Sequence, residues 1–399
     1  MQMKPNKKEF SPPFHIASPQ EIREGKTTDV YFVRTREIIE EKELDRHVKA
    51  EFIAKGFHDG WSWAVFCGLE EILSLTQGLP LAIRAIPEGT IFRSYEPVME
   101  IEGNYQDFCL LETAILGLMC QASGVATKAA RCKKAAGDRP VLSFGARRVH
   151  PALTPMVDRS AYIGGCDGIS AIKSAEFLGI EPTGTMPHAL ILLIGDTVQA
   201  AKAFDDVIDP KVGRVVLIDT FNDEKFEAIR LAEALKEKLY AVRLDTPSSR
   251  RGNFPRMIEE IRWELDIRGF SQVKIFVSGG MDEYKITELN PYVDAYGVGT
   301  SISNAPVVDF SMDIVEISGK PTAKKGKMSG SKQLYRCTNC YKDRVEYVKR
   351  EFQDFPCECG GAMEPLLMPV MTGGKPLDPL PSPKDIRAYV LSQLNRFTL

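Results

Sequence analysis

The sequence predicts an α/β protein: a barrel of parallel strands, an α+β domain before it and a small module after it. From about Val141, short apolar runs alternate with amphipathic segments, as in repeated βα units. Residues 51–106 instead contain turn signals between short apolar runs, and four cysteines lie close together near the carboxyl end. The 399 residues are enough for two or three domains.

Composition indicates an ordinary globular protein. Apolar residues make up 44% and charged residues 26% of the chain, so it can bury a sizeable core. The net charge of -3 argues against a general nucleic-acid binder, which usually has a basic excess. No apolar run approaches the ~18 residues of a membrane span, and no signal core is present. We therefore expect a cytoplasmic protein without nucleic-acid or membrane partners.

Shifts in pattern predict four segments. They are a flexible tail (1–14), an α+β domain (15–125), a catalytic barrel (126–318) and a C-terminal module (319–399). Within the second segment, the apolar run 81–86 predicts a strand. Residues 107–136 predict a helical region, because Leu111, Ile115 and Leu118 recur at helical spacing.

The βα series is the strongest structural signal. Predicted strands are 215–219, 242–245, 273–277 and 295–298, and predicted helices are 223–239 and 253–269. Polar residues follow several of these strands, which favours a barrel over a doubly wound sheet with a single reversal point. The region is shorter than the ~250 residues of a full eightfold barrel. We therefore expect a barrel that is either incomplete or completed by flanking segments.

Two glycine turns follow the last two predicted strands, and they suit a phosphate monoester. Glycine lets backbone N–H groups approach phosphate oxygens, and barrels often bind phosphate at this position. Tight βα turns are the alternative for either turn alone. The turns comprise Ser278, Gly279 and Gly280, and Gly297, Gly299 and Thr300.

Asp219 and Asp245 each end a predicted buried strand. A carboxylate there is costly unless it is hydrogen-bonded, paired or bound to a metal. Ribose hydroxyls and Mg²⁺ would both satisfy such groups, which suits a sugar pyrophosphate. Capping of the following helix is an equally common use of aspartate at these junctions.

Cationic and aromatic residues follow the first strand of the series. Arg147 and Arg148 lie between Phe144 and His150, and guanidinium groups match carboxylates and phosphates bidentately. Residues 248–253 add two serines and two arginines before a helix. His188 is predicted in a loop after a short strand, where a lone histidine is more often structural than catalytic.

Four cysteines form a metal-binding pattern, whereas the other five are scattered through apolar sequence. The pattern has a Cys-x-x-Cys and a Cys-x-Cys pair: Cys337, Cys340, Cys357 and Cys359. In a reducing compartment this spacing favours structural zinc over disulfides or free thiols. Four thiolates leave no open coordination position for water, so the metal would hold the C-terminal module together rather than take part in catalysis.

Short motifs spread over nearly the whole chain resemble the nicotinate phosphoribosyltransferases, in particular the archaeal forms with a cysteine-rich C-terminal module. The matching motifs are Thr28–Tyr31, Ala85–Gly89, Glu112–Leu116, Ser143–Arg148, Gly184–His188, Asp245–Ser249, Ser278–Gly280 and Gly297–Thr300. The resemblance implies an α/β barrel beside an α+β domain. It also implies an active site shared across a homodimer or higher assembly.

The resemblance further implies a role for each matching residue. Tyr31 of a neighbouring subunit and Phe144 would sandwich the pyridine ring, and Arg147, Arg148 and Thr185 would hold the nicotinate carboxylate and the pyrophosphate. Asp219 and Asp245 would serve ribose and Mg²⁺, with Thr246 and Ser249 beside them, and the two glycine turns would hold the 5′-phosphate. His188 matches the histidine that ATP phosphorylates in the family, although Met186 and Pro187 before it depart from many relatives.

The implied reaction is attack of nicotinate on 5-phosphoribosyl-1-pyrophosphate. Two alternatives stay open: the same transfer to nicotinamide or quinolinate, and a non-catalytic protein that binds partners through its zinc module. Residues 184–188 offer no acid for an amide, and quinolinate would need more cations. The strand-end aspartates count against a barrel without catalytic function.

Overall fold

The protein is described by a computed structural model for residues 14–58, 60–348 and 356–399. Most of the predicted tail lies outside these residues. The helices are α1 (Pro19–Arg23), α2 (Val30–Glu41), α3 (Leu69–Thr76), α4 (Tyr105–Phe108), α5 (Glu112–Ala136), α6 (Thr154–Ile163), α7 (Ile172–Leu178), α8 (His188–Ile194), α9 (Thr197–Val207), α10 (Glu224–Leu235), α11 (Phe254–Ile267), α12 (Glu283–Leu289), α13 (Thr300–Ser303) and α14 (Pro383–Leu394).

The strands form parallel and antiparallel sheets. They are β1 (His47–Ala54), β2 (Ala64–Val65), β3 (Ala82–Ala85), β4 (Ile91–Phe92), β5 (Pro97–Asn104), β6 (Val141–Ser143), β7 (Gly168–Ile169), β8 (Arg214–Leu217), β9 (Leu239–Leu244), β10 (Lys274–Val277), β11 (Ala295–Val298), β12 (Phe310–Ile317), β13 (Lys320–Pro321), β14 (Lys332–Cys337), β15 (Asp343–Tyr347), β16 (Met363–Pro365), β17 (Met368–Thr372) and β18 (Lys375–Pro376).

The parallel sheet is an open half-barrel. Its strand order is β7-β6-β11-β10-β9-β8, and every neighbouring pair is parallel. In the described chain β7 and β8 are its edges, so the predicted barrel is confirmed in its incomplete form. The carboxyl ends of β6, β11, β10, β9 and β8 therefore lie side by side.

The predicted helices of this region are confirmed, and their apolar stripes pack on the sheet. In α11, Asn253 caps the start by accepting a hydrogen bond from the N–H of Arg256, and Ile258, Ile261 and Leu265 are buried. Burial of each such side chain contributes roughly 1.5–3 kcal/mol. Ile261→Ala would therefore loosen this helix from the sheet.

The antiparallel sheet crosses the predicted segment boundaries. Its order is β13-β12-β1-β5-β3-β17-β18, so β12, assigned to the barrel, and β17, assigned to the C-terminal module, belong to the sheet of the first domain. The free hydrogen-bonding edges of β1 and β3 select these later strands. Pairing across such distances leaves no signal in local sequence pattern.

Helix α5 joins the two large sheets, and the boundary predicted after residue 125 falls inside it. Its Gly124 is required, because a Cβ there would lie 2.3 Å from the carbonyl oxygen of Pro306. Residues 105–136 are long and apolar enough to cross a membrane by length and composition. Half of that apolar window is buried inside the protein, as in a core helix.

The C-terminal module contains the three-stranded sheet β15-β14-β16. Arg336 on β14 forms an ion pair with Asp343 at 2.7 Å, and Asp343 also pairs with Arg93 of the first domain. Arg336 donates to the carbonyl oxygen of Ile91 at 2.6 Å as well. These contacts anchor the module to the first domain.

Candidate functional site

Two aspartates meet at the carboxyl edge of the half-barrel. Asp219 follows β8 and Asp245 follows β9, and these strands are neighbours. Neither caps a helix, because Asp223 caps α10 and Asn253 caps α11. The capping alternative is therefore wrong for both, and both carboxylates face the site.

Asp219 is buried and incompletely paired. Its side chain is 3% exposed, and Oδ1 has no hydrogen-bond partner in the described chain. Burial raises the pKa of Asp219 above its usual range, His188 opposes this, and Asp245 adds to it. An orphaned buried carboxylate oxygen indicates a ligand that approaches from the site.

His188 begins helix α8, so its predicted position in a loop is wrong. Pro187 directly before it forms the extended cap of that helix. Nδ1 lies 3.0 Å from Thr220 Oγ1. Nε2 lies 3.7 Å from Asp219 Oδ2 and 3.9 Å from Asp245 Oδ2. The ring is thus held through one nitrogen, and the other faces both carboxylates.

Arg243 on β9 is a central residue of the site that sequence reasoning missed. Its Nε donates to Ser278 Oγ at 2.9 Å, Nη1 to Thr185 Oγ1 at 2.6 Å, and Nη2 to Asp245 Oδ2 at 3.2 Å. Burial lowers the pKa of Arg243 from its usual range. A signal was present, because a charge inside a buried parallel strand is costly without a function.

Phe144 forms the aromatic wall beside this arginine. The guanidinium carbon of Arg243 lies 5.2 Å from the centre of the Phe144 ring. Gly297 makes room for that ring, since a Cβ there would approach it to 2.6 Å. Arg147 and Arg148 follow on an exposed turn, and Arg147 is near enough to contribute, after burial, to the lowered pKa of Arg243.

The two predicted glycine turns lie beside each other, because β10 and β11 are paired. Gly279 and Gly280 have φ of 80° and 64°, which only glycine adopts readily. Their N–H groups donate no hydrogen bond within the described chain. The second turn, with Gly299, leads into Thr300 at the start of α13. Free N–H donors at these turns suit an anion.

Three other predicted residues have different surroundings. Thr246 is buried and its hydroxyl donates to Glu224 Oε1 at 2.8 Å, so its side chain is already engaged. Ser249 is exposed on a short turn. Tyr31 lies on α2, 56% exposed, with its hydroxyl 3.4 Å from Asp29 Oδ2. No contact in the described chain joins Tyr31 to Phe144 or Arg243.

A cavity of about 1800 Å³ occupies the concave side of the half-barrel. It is lined by Leu142, Val215 and Phe276 and reaches the site at Thr185, while most of it lies toward the amino ends of the strands. The carboxylates of Asp219 and Asp245 are outside this lining. The polar site is therefore the rim of the half-barrel, and the cavity opens behind it.

The four cysteines form a compact cluster that could hold a metal ion, as the sequence spacing predicts. The sulfurs of Cys337, Cys340, Cys357 and Cys359 all lie within 4.8 Å of one another. The Cys337–Cys359 and Cys340–Cys357 sulfur distances are 3.4 and 3.6 Å, and none of the cysteines forms a disulfide. Gly361 is needed beside them, because a Cβ there would lie 2.6 Å from Cys337 Sγ.

The fold and the site define a half-barrel protein with one polar rim. Models of the quinolinate phosphoribosyl transferase family match both parts of the chain: the C-terminal domain over residues 125–313 and the N-terminal domain over residues 29–123. The chain belongs to this family. Consistent with that, it is 52% identical to a nicotinate-nucleotide pyrophosphorylase from Pyrococcus furiosus, whose crystal structure superposes with a TM-score of 0.94 over 97% of this chain and 99% of that one.

Two further similarities extend the comparison. The chain is 32% identical over 315 residues to a nicotinate phosphoribosyltransferase of Mycobacterium tuberculosis, covering 73% of this chain and 63% of that relative. The chain thus spans less than two thirds of that protein. Human nicotinic acid phosphoribosyltransferase has the same fold, with a TM-score of 0.71 over 93% of this chain and 94% of that one at 19% identity.

Proposed function

We propose that the protein is a nicotinate phosphoribosyltransferase. It would join nicotinate to 5-phosphoribosyl-1-pyrophosphate and release nicotinate mononucleotide and pyrophosphate, a step of NAD biosynthesis. The observation that carries the proposal is the convergence of His188, Asp219, Asp245 and Arg243 on one rim. The names of the curated relatives support the same reaction.

Arg243 is the group best placed to hold the nicotinate carboxylate. Its guanidinium lies beside the Phe144 ring and is oriented by Thr185, so an aromatic acid on that ring would meet a fixed cation. A guanidinium fork binds a carboxylate bidentately. Arg147 would supply further positive charge at the mouth. The roles first given to Arg147 and Arg148 therefore pass partly to Arg243.

Asp219 and Asp245 fit the needs of Mg²⁺ and ribose. The unpaired Oδ1 of Asp219 is a buried oxygen that a cation or a hydroxyl would satisfy, and Mg²⁺ uses one or two carboxylates together with substrate phosphates. A magnesium ion held there would neutralise charge on the departing pyrophosphate. The free N–H groups of Gly279 and Gly280 would bind the 5′-phosphate on the neighbouring strand end.

The reaction needs positioning more than proton transfer. The pyridine nitrogen forms a bond to the anomeric carbon, and the bond from that carbon to pyrophosphate breaks, with its electron pair leaving on oxygen. Positive charge develops on the ribose, where Asp219 and Asp245 stabilise it. Fixed charges of this kind supply much of the catalysis in a dry site.

His188 is the residue through which ATP would act. Nδ1 is held by Thr220 and Nε2 faces the carboxylates of Asp219 and Asp245, so Nε2 is the nitrogen on the side of the proposed substrate. ATP would transfer its γ-phosphoryl group to a ring nitrogen of His188 and leave as ADP, and water would later cleave that N–P bond to release phosphate, which would couple ATP hydrolysis to nucleotide formation. The Asp219 and Asp245 carboxylates keep the imidazole oriented for that step.

The cysteine cluster would hold structural zinc. The two sulfur separations of 3.4 and 3.6 Å, within a cluster whose sulfurs all lie within 4.8 Å of one another, suit a tetrahedron of Zn–S bonds of about 2.3 Å, whose edges are about 3.8 Å. The bound ion would fix Cys337 next to Arg336, and thereby the contacts of the module with the first domain. It takes no part in the chemistry.

A second copy of the chain would complete the site. Val30, Tyr31 and Ile38 of α2 are exposed, and so are Leu192 and Leu193 of α8 beside His188. These apolar surfaces suit a homodimer in which Tyr31 of one subunit covers the pyridine ring in the other. An enzyme whose substrates are small anionic metabolites would act in the cytoplasm.

Quinolinate is the second candidate acceptor, because the family to which the chain belongs is named for the transfer of a phosphoribosyl group to quinolinate. It has two carboxylates and would need a second fixed cation beside Arg243. In the described chain Arg251 is already bound to the carbonyl oxygens of Ser278 and Gly279, and Arg147 and Arg148 are exposed. One half-buried guanidinium and one exposed pair favour a monocarboxylate.

Turnover tests the proposal directly. Purified protein with Mg²⁺ and phosphoribosyl pyrophosphate is offered nicotinate, nicotinamide or quinolinate, each with and without ATP, and mononucleotide and pyrophosphate are measured. We expect product from nicotinate, and ATP stimulation that His188→Ala abolishes. If only quinolinate gave product, quinolinate would be the acceptor. If none of the three acceptors gave product, the proposed phosphoribosyltransferase activity would be refuted.

A further inference from the structure

Arg251 bridges the two loops that follow β9 and β10. Its Nε donates to the carbonyl oxygen of Thr246 at 2.6 Å. Its Nη2 donates to the carbonyl oxygens of Ser278 at 3.1 Å and Gly279 at 2.5 Å. The guanidinium also lies 4.5 Å from the centre of the Phe254 ring. One side chain therefore fixes the Ser278–Gly280 turn to the Asp245 loop.

These contacts set the direction of the free N–H groups in the turn. In a trans peptide the carbonyl and the following N–H point in opposite directions. Because Arg251 holds the carbonyls of Ser278 and Gly279, the N–H groups of Gly279 and Gly280 point away from it. Neither N–H has a partner in the described chain. The turn therefore presents two unpaired donors on the side away from Arg251.

The geometry leaves little room for another arrangement. A Cβ at Gly279 would lie 2.8 Å from Asp245 Oδ1 and 2.9 Å from Arg251 Nη2, so the turn packs directly on both groups. The two glycines have φ values that other residues avoid. Arg251 makes two of the contacts that hold the turn in this arrangement, so removing the arginine would release the orientation of the donors.

We propose that Arg251 is a positioning residue for phosphate recognition, acting through the Ser278–Gly280 turn rather than by touching the ligand. This rests on the proposed function, in which that turn binds the 5′-phosphate of the substrate. Only the arginine fork can hold both carbonyls of the turn and the Thr246 carbonyl at once. A lysine would keep the positive charge and lose the bridge.

The test uses ribose 5-phosphate as the probe. Calorimetry measures its binding to the wild type, Arg251→Lys and Gly280→Ala, and steady-state kinetics give KM for each substrate. We expect Arg251→Lys to weaken binding about tenfold or more and to raise KM for phosphoribosyl pyrophosphate, with KM for nicotinate unchanged. Arg256→Lys, on the exposed face of α11, is the control.

A double-mutant cycle separates positioning from direct contact. A Cβ at Gly280 meets nothing within 4 Å, so Gly280→Ala disturbs the turn without touching Arg251. If Arg251→Lys and Gly280→Ala both act through the turn, the double variant should bind ribose 5-phosphate no more weakly than the single variant with the lower affinity. Additive losses, or wild-type binding by Arg251→Lys, would overturn the proposal. A wild type that binds ribose 5-phosphate but does not convert nicotinate would refute only the acceptor assignment.

Discussion

The rim of the half-barrel and the cysteine cluster are two candidate ligand sites of the protein, but they are assembled differently. The rim gathers Phe144, His188, Asp219, Asp245 and Ser278 from the ends of separate strands and helices. The cluster brings together two cysteine pairs from one short stretch of chain. The rim therefore depends on the order of strands in the sheet, and the cluster depends on local spacing.

The two sites also differ in how their polar atoms are satisfied. At the rim, Asp219 Oδ1 and the N–H groups of Gly279 and Gly280 have no partner within the described chain. In the cluster, each sulfur lies close to the other three. Buried polar groups without a partner reduce the stability of the free protein and can be satisfied by a bound ligand. Four sulfurs around one metal ion instead stabilise the fold once the metal binds. Variants should separate these two roles.

The largest effect is expected from Asp219→Asn at the rim. Loss of this carboxylate would remove the negative charge that we propose stabilises the ribose cation, so kcat should fall about a thousandfold. The melting temperature should stay level or rise, because the variant no longer buries an incompletely paired charge. Steady-state kinetics measure kcat, and scanning calorimetry measures the melting temperature. Asp206→Asn, at an exposed position of α9, is the control, and a large fall in melting temperature would contradict this reading.

Cys337→Ser should show the reverse behaviour. Cys337 is a buried member of the four-cysteine cluster that could hold a metal ion, so we expect loss of bound zinc and a fall in unfolding free energy on the order of 3 kcal/mol. Below the unfolding transition kcat should change by no more than about twofold. Metal analysis, denaturant unfolding and kinetics measure these. Cys120→Ser, outside the cluster, should retain zinc; equal zinc content in both variants would refute the metal site.

Arg243→Lys is expected to have an intermediate effect at the rim. Lysine keeps the charge but cannot make the three side-chain contacts of the guanidinium. KM for nicotinate should rise about 10- to 100-fold, as for loss of one charge-assisted hydrogen bond. Steady-state kinetics with each substrate varied measure it. If only KM for phosphoribosyl pyrophosphate rose, the carboxylate would bind elsewhere, and Arg147→Lys would be compared next.

The smallest effect is expected at Glu96, where the first domain meets the module. Burial, and then Asp343, raises the pKa of Glu96 to about 7. The stability from its protonated form is present below about pH 4.5 and is lost as pH rises through 7. Glu96→Gln should remove this loss, on the order of 1 kcal/mol. Unfolding free energies at pH 5 and pH 8 measure it, with exposed Glu233→Gln as the control; parallel pH profiles would disprove the shift.

Some of the site was predictable from the residues alone. Asp219, Asp245 and the Gly279–Gly280 turn follow short apolar strands, and parallel strands place their carboxyl ends on one edge. The zinc pattern was predictable because its spacing is local. Arg243 was missed because a charge inside a buried strand shows that partners are needed, but only the fold shows which residues supply them. His188 was placed in a loop because Pro187 conceals the start of a helix.

The sequence by itself determined the alternation of strands and helices, the strand-end carboxylates and the cysteine spacing, since each depends on residues near one another in the chain. Only the tertiary structure decided that β12 and β17 complete the first sheet, that the half-barrel stays open between β7 and β8, and that Arg251 fixes the glycine turn. These depend on contacts between distant segments, which hydrogen bonding and packing select after the local elements have formed.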